Sequence, residues 1–446
     1  MLTIGVDSST QGTKAVVYDT SAGKIVASAA VNYGRDLPEY GAPDGFIPCA
    51  DPAVRRADPR MWIDGLRLAL ARLRDSGAPM SEVAAIGGCA QQHATVYLGA
   101  DGGFTRESSP IWMDSSTTEE VARLDAMFGS SLARRTGSPA TERFAAAQVM
   151  KFAREDPAAY AATARIHLLS SYITAVLSGH ADAPVDTGDG AGMNLLDLST
   201  LEWAGDICEA VAPGLEKKLP PVHRPGGADR YALAPEFASF GLKPGIPVAP
   251  FTGDNPASLV GCGAEKPGCA VISLGTSDTF FAAMPDFKTD PDGYGHVFGN
   301  PAGGFMSLVC FKNGSLARDR VRRECGVEWD RFDAICGDGG AGRAFPYFET
   351  EITPRHEATG VEADFDWAAA EPERKIRAVI EGQLLNMYER TRWIGDFPVI
   401  YATGGASRSA GILKAIRRIF GAEVRTLDAT DSAAVGGARL AAAAAR

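Results

Sequence analysis

The residues most able to do chemistry lie just past the middle of the chain, in Phe251-Thr252-Gly253-Asp254-Asn255-Pro256-Ala257-Ser258. Thr252 and Gly253 allow a sharp turn after the apolar run 246–251. Asn255 can cap a helix, and Pro256 suits a first helical position because its missing N–H would be unpaired there. Asp254 then sits at the positive end of a helix, either completing a capping turn or standing ready to take a proton. A second acid, Asp7, closes the apolar run 2–7 and can hold Mg²⁺ through water. The segment after it, Ser8-Ser9-Thr10-Gln11-Gly12-Thr13-Lys14, offers hydroxyl and backbone N–H donors for phosphate oxygens, or forms a plain hairpin tip. Gln91-Gln92-His93 ends another apolar run and can hydrogen-bond a polyhydroxylated ligand. Arg143 reads as a surface cation unless its surroundings make it a ligand.

The elements that must position these groups follow from the hydrophobic pattern. Residues 2–7 and 15–19 read as antiparallel strands around the tip, with a third strand over 24–33. Residues 35–56 read as a long loop rich in Pro, Gly and Asp. A helix is expected over 59–74, its apolar face made by Trp62, Leu66, Ala69 and Leu73. A buried strand over 83–88 leads into Gln91-Gln92-His93, and a short strand is expected over 110–114. Ser116 and Glu119 form a capping box for a helix to Phe128, and another helix is expected from Thr141 to about Asp156. Residues 168–177 read as a strand end and a helix, followed by the Gly-rich run 186–192. Residues 220–247 carry six prolines and mark the expected boundary between domains at 1–247 and 248–446.

The second half echoes the first. A strand over 269–274, the tip Gly275-Thr276-Ser277-Asp278 and a strand over 279–282 repeat the opening unit. One such tip per domain, facing across a cleft, would grip a nucleotide's phosphates from both sides. After a strand over 399–402, Thr403-Gly404-Gly405-Ala406-Ser407-Arg408-Ser409 leads into a helix over 410–420; paired glycines let backbone approach a flat ligand, or simply make a tight turn. A strand over 423–427 and an alanine-rich helix over 432–445, with a small-residue surface fit for close packing, end the sequence.

The totals narrow the function classes. At 446 residues the chain suits two domains, each with a sizeable core. A net charge of −11 argues against nucleic acid or an anionic membrane as the main partner. No apolar run reaches spanning length and no signal core follows Met1. The eight cysteines show no C-x-x-C, and the six histidines no metal-ligand spacing, so a reduced cytoplasmic protein is expected. There is no P-loop motif. The G-x-G-x-x-G match at 337–342 lacks a following helix and reads as a loop.

Taken together, these motifs resemble the FGGY carbohydrate kinase family, within the actin, Hsp70 and hexokinase-like superfamily, nearly end to end. Asp7-Ser8-Ser9-Thr10-Gln11 resembles its first phosphate motif, Ser273-Leu274-Gly275-Thr276-Ser277 its second, and Thr403-Gly404-Gly405-Ala406-Ser407 its adenosine motif. Within the family the chain is most similar to the eukaryotic-type D-xylulose kinases. That likeness rests on Arg35-Asp36-Leu37-Pro38-Glu39-Tyr40-Gly41, Gln91-Gln92-His93, Trp112-Met113-Asp114-Ser115-Ser116-Thr117-Thr118, Glu142-Arg143-Phe144, Gly192-Met193-Asn194-Leu195-Leu196, the Asp254 segment and Cys310-Phe311-Lys312-Asn313-Gly314-Ser315-Leu316.

The resemblance implies an α/β fold of two actin/hexokinase-like (ribonuclease H-like) domains with a cleft between them. It implies ATP- and Mg²⁺-dependent phosphorylation of D-xylulose at its 5-hydroxyl, with the halves closing over the sugar to exclude water. Asp254 is expected as catalytic base, Gln92, His93, Arg143, Asp254 and Asn255 as sugar contacts, and Asp7 as the metal residue. Thr10, Gln11, Gly275, Thr276, Ser277, Trp329, Gly404, Gly405 and Ser409 are expected on the nucleotide. Ser409 stands where relatives can carry Asn, and the chain is shorter than the eukaryotic enzymes, mostly in loops. The implied partners are the sugar and ATP, with no nucleic acid or membrane; a homodimer is compatible with this. The alternatives are a kinase for ribulose, glycerol or another polyol, a non-catalytic sugar sensor on the same fold, and an Hsp70-like ATPase, which would need a peptide-binding domain.

Overall fold

The computed structural model describes residues 1–226, 231–427 and 431–446. The chain divides into two compact units. The first comprises Met1–Gly261, Val297–Phe305 and Asp431–Arg446; the second comprises Cys262–His296 and Met306–Thr430.

In the first unit, strand Leu2–Ser8 pairs antiparallel with Gly12–Asp19 and parallel with Val83–Ala90. Lys24–Asn32 extends the sheet on the hairpin side. Thr252–Gly253 joins the other side, Thr252 opposite Cys89 and Gly253 opposite Ala90. Helix Pro59–Asp75 covers one face: Asp58 caps it by accepting from Arg60 N, Pro59 occupies its first position, and Trp62, Leu66, Ala69 and Leu73 are wholly buried.

Helix Ser432–Ala444 covers the other face. Its small residues permit an approach that no side chain would survive. A Cβ at Gly437 would lie 2.4 Å from Gly88 Cα, and one at Gly436 would lie 1.9 Å from Ala257 O. Thr3 Oγ1 donates to Ala438 O at 2.9 Å, and Lys14 pairs with Asp431 at the start of the helix.

The second unit repeats the pattern. Cys269–Leu274 pairs antiparallel with Asp278–Met284 and parallel with Val399–Thr403, which pairs parallel with Glu423–Thr426. The echo read from the sequence is therefore a topological one. It makes the fold α/β, one sheet of the same hairpin-plus-parallel-neighbour plan in each unit.

Several expectations are corrected. The chain leaves the first unit at Gly261 rather than at 247, so Asp254 belongs to the first unit and not to the start of a second domain. Of the proline-rich residues 220–247, 227–230 lie outside the described residues; the rest belong to that unit, with Leu233, Phe237 and Leu242 buried in its core and Tyr231–Ala232 paired with Pro247–Val248 at the edge of its sheet. The helix expected from Asn255 begins at Asp254, placing Pro256 third, where its missing N–H is equally harmless. Ser116 does not cap the helix Thr118–Phe128; its hydroxyl donates to Asp114 Oδ1 at 2.6 Å instead. The strand expected over 110–114 shrinks to Ser109–Pro110, leaving Trp112 and Met113 exposed. The helix expected from Thr141 starts at Ala145. The long loop contains the helical turns Tyr33–Asp36 and Pro38–Tyr40.

Candidate active site

In the first unit, parallel pairing brings the C-terminal ends of Leu2–Ser8, Val83–Ala90 and Thr252–Gly253 side by side. Asp7, Gln91-Gln92-His93 and Asp254 emerge there together, as ligand-binding groups do at strand ends in α/β sheets. Asp254 opens the helix Asp254–Gly261. Its Oδ1 accepts from Asn255 N at 2.8 Å and Asn255 Nδ2 at 3.0 Å. Burial, and then the negative charge of Asp7, push its carboxyl up to about 7.

Asp7 is itself pushed up to about 6 by burial, with Lys14 and the Cys89 thiol, at 3.7 Å, favouring its charge. A buried Asp7 whose charge raises Asp254, with only a weak thiol donor at its own carboxyl, fits a divalent cation that enters with its own phosphate and water ligands. Among the described residues, no group of three or more His, Cys, Asp and Glu side chains is placed to hold a metal ion.

His93 has the left-handed φ of 72°, aiming the buried ring so that Nδ1 meets Gly192 O at 2.8 Å. The ring stacks on Phe144 at 4.3 Å between centroids, and the Arg143 guanidinium lies 5.9 Å from the Phe144 ring. A side chain at residue 192 would run into the imidazole, 2.7 Å from its Cε1, so Gly192 shapes the wall. Gln92 is tied to both sides of the site: Nε2 donates to Gly188 O at 3.4 Å and Oε1 accepts from Asn255 Nδ2 at 3.0 Å.

At the first tip, Trp112 Nε1 donates to Thr10 Oγ1 at 2.7 Å, a bond that leaves the Thr10 O–H as a donor. Gly45, at φ 84°, packs on Thr10 O where a Cβ would come within 1.9 Å. Gln11 is exposed, and its carbonyl accepts from Tyr33 N at 3.0 Å.

In the second unit, Gly275, Thr276, Trp329, Gly405 and Ser409 line one cavity of about 560 Å³, within the usual size range of a small-molecule site. Trp329 is half exposed, with the Arg322 guanidinium 4.5 Å from its ring centre and Phe332 edge-on. Gly404, at φ 86°, sits behind this wall, where a Cβ would come within 2.6 Å of Leu274 O. Ser277 faces an adjoining cavity beside Lys312 and Arg320. Ser409 caps the helix Ala410–Phe420 by accepting from Ile412 N at 3.1 Å, and its hydroxyl donates to Asp333.

Sequence reasoning missed two groups. Arg318 is buried and grips Asp278 through two bonds, at 2.6 and 2.9 Å, directly behind the second tip. Asp189, in the Gly-rich run, is buried and accepts from Ser170 Oγ at 2.5 Å. An acid enclosed by small and apolar residues in sequence was the one available signal for Asp189; Arg318, in an arginine-rich helix, gave none.

No helix among the described residues is long and apolar enough to cross a membrane. Models of the FGGY family of carbohydrate kinases match the chain at residues 2–261 for the N-terminal domain and 270–445 for the C-terminal domain. Xylulose kinase of Rattus norvegicus is 35% identical, covering 98% of this chain and 87% of the relative. Xylulose kinase 2 of Arabidopsis thaliana is 34% identical, covering 98% and 86%. Among solved structures, a xyloylose kinase from Brucella ovis superposes with a TM-score of 0.84 at 26% identity, over 100% of this chain and 90% of that one.

Proposed function

We propose that this chain, which belongs to the FGGY family of carbohydrate kinases, transfers the terminal phosphoryl group of ATP to the 5-hydroxyl of D-xylulose, with Asp254 as general base. One observation carries the reading: a carboxyl with one oxygen fixed by two Asn255 N–H donors, its proton affinity raised by burial to about 7. A general base works best with a pKa near the working pH. The choice of D-xylulose rests on the xylulose kinase relatives.

Phosphoryl transfer to an alcohol needs an oriented acceptor, neutralised phosphate charge and a home for the leaving proton. His93, Arg143 and Asn255 would hold the sugar hydroxyls so that one oxygen faces Asp254. Gln92, besides its expected contact with the sugar, would fix Asn255. Asp254 takes the hydroxyl proton as the oxygen attacks. Thr10 and Gln11 on one tip, and Gly275, Thr276 and Ser277 on the other, are suited to donate to phosphate oxygens. Trp329, Gly404, Gly405 and Ser409 would seat the adenosine. Asp7 would hold Mg²⁺ through water, and that ion, when bound, offsets phosphate charge.

The test is ADP release with Mg²⁺ and ATP against D-xylulose, D-ribulose, L-ribulose, L-xylulose, glycerol and no acceptor. Selective stimulation by D-xylulose is expected. Preference for another acceptor overturns the substrate while leaving the family in place, and no stimulation by any acceptor overturns the enzymatic reading of the site.

A further inference from the structure

The cavity of about 560 Å³ in the second unit is lined by a carboxyl that the chemistry described so far does not use. Asp333 stands one turn beyond Trp329 on the helix Trp329–Cys336. Both side-chain hydrogen bonds of Asp333 go to one oxygen: Oδ1 accepts from the Ser409 hydroxyl, and from Gly411 N at 2.9 Å. Ser409 caps the helix Ala410–Phe420 and Gly411 lies in its first turn, so the carboxyl is pinned to the start of that helix. Oδ2 has no hydrogen bond among the described residues, which leaves it as the side chain's free acceptor. Asp330, the other acid lining the cavity, is exposed and has no such bonds to fix it.

A carboxylate only accepts, so a group that meets Oδ2 must bring a donor. Adenosine brings the 6-amino group of its base and two ribose hydroxyls, and position separates them. The tip Gly275-Thr276 marks the phosphate end; Ser315 N donates to Gly275 O at 2.9 Å, so the start of helix Ser315–Glu324 stands there too. The ribose joins the phosphates, and the base is the end of the nucleotide farthest from them. No hydrogen bond of Asp333 reaches the tip or that helix. They run to Ser409 and Gly411 and, through its carbonyl, to Cys336 Sγ at 3.8 Å. On the way, Trp329 offers a half-exposed ring, and Gly405 an open backbone where a Cβ would meet nothing within 4 Å. That is room for a flat base.

We propose that Asp333 selects adenine, Oδ2 accepting from the 6-amino group of the base. The inference rests on the placement of the nucleotide made above. It has a consequence for asparagine at this position. The Ser409 hydroxyl and Gly411 N–H both donate where Oδ1 lies, so an amide must put its oxygen there and its NH₂ group toward the cavity. A donor then faces the base, suited to the 6-oxo group of inosine and opposed to the 6-amino group of adenosine.

The test is calorimetric titration of the full chain, with Mg²⁺, by ADP, IDP, 2′-deoxy-ADP and 3′-deoxy-ADP. Wild type is expected to bind ADP about 10- to 100-fold more tightly than IDP, the scale of one hydrogen bond to a charged group. Asp333→Asn should lower that ratio by about tenfold or more, weakening ADP and strengthening IDP. A merely structural loss would weaken both alike and leave the ratio unmoved. The loss of affinity for ADP should recur in full with both deoxy nucleotides. A wild type that does not distinguish ADP from IDP, or an unmoved ratio in the folded Asn variant, would overturn the proposal. So would a loss that vanishes with either deoxy nucleotide, which makes a ribose hydroxyl the partner. Should Asp333→Asn not fold, Asp333→Ala decides by the same ratio, expected to fall about tenfold with the acceptor gone. Trp329→Ala, titrated alongside, separates the two claims. Unchanged ADP affinity there removes the placement of the nucleotide, whereas weaker ADP binding beside an unmoved ratio in Asp333→Asn removes only this inference.

Discussion

Replacing Asp254 by Asn is expected to stabilise the first unit while abolishing turnover, and the size of the gain should depend on pH. The carboxyl moves from its ordinary 3.8 to about 7 in the folded protein, chiefly through burial and secondarily through the charge of Asp7. A raised acid means that the folded state binds more protons than the unfolded one between those values. Stability therefore falls as pH rises through that window and stays low above it. At full strength the rise corresponds to about 4 kcal/mol. The side chain is partly exposed, and solvent screening brings this to about 2 kcal/mol. Asn is neutral in both states, and its oxygen can still accept from Asn255 N. Scanning calorimetry without Mg²⁺ or nucleotide, which would add binding stabilisation, should show the transition of the first unit rising by about 4 °C at pH 8. At pH 5 the gain should shrink by more than half. An equal gain at both pH values, or a loss at pH 8, would refute the claim that the folded site penalises the charged base.

The second unit supplies two further expectations. Arg318→Met strands the buried Asp278 carboxylate and should cost about 3–5 kcal/mol of that unit's stability, read by denaturant titration; a cost under about 1 kcal/mol would mean that the pair carries little. Trp329→Ala removes an aromatic wall of the 560 Å³ cavity and should raise the KM for ATP about tenfold, as expected for loss of a ring contact worth about 1–1.5 kcal/mol, with the sugar KM unchanged. A sugar KM that moves instead would contradict the placement of the nucleotide.

Local structure was largely readable from the residues. Apolar runs on either side of the polar tips Ser8 to Lys14 and Gly275 to Asp278 announced both hairpins, and both formed. The alanine-rich ending announced close packing, borne out where Gly437 meets Gly88. Which sheet that helix covers was not readable, because sequence order carries no information on a return of 179 residues, the separation at which Gly436 packs on Ala257. For the same reason the prolines of 220–247 suggested a boundary, when the strand Thr252–Gly253 beyond them still pairs with Val83–Ala90. Gln92 shows a different limit. An amide at a strand end serves a ligand or a neighbouring side chain equally well, and nothing in the sequence indicates the Asn255 contact. Arg318 stayed hidden because its importance lies wholly in the Asp278 carboxylate that burial places beside it.

The most direct test of the account compares sugar-stimulated ADP release by wild type and Asp254→Ala, with D-xylulose binding followed by calorimetry. Turnover is predicted to fall by about 10²–10⁴, the usual cost of a lost general base, while the variant folds and still binds the sugar. Near-normal turnover in a variant that lacks this carboxylate would contradict the assignment of Asp254 as the base.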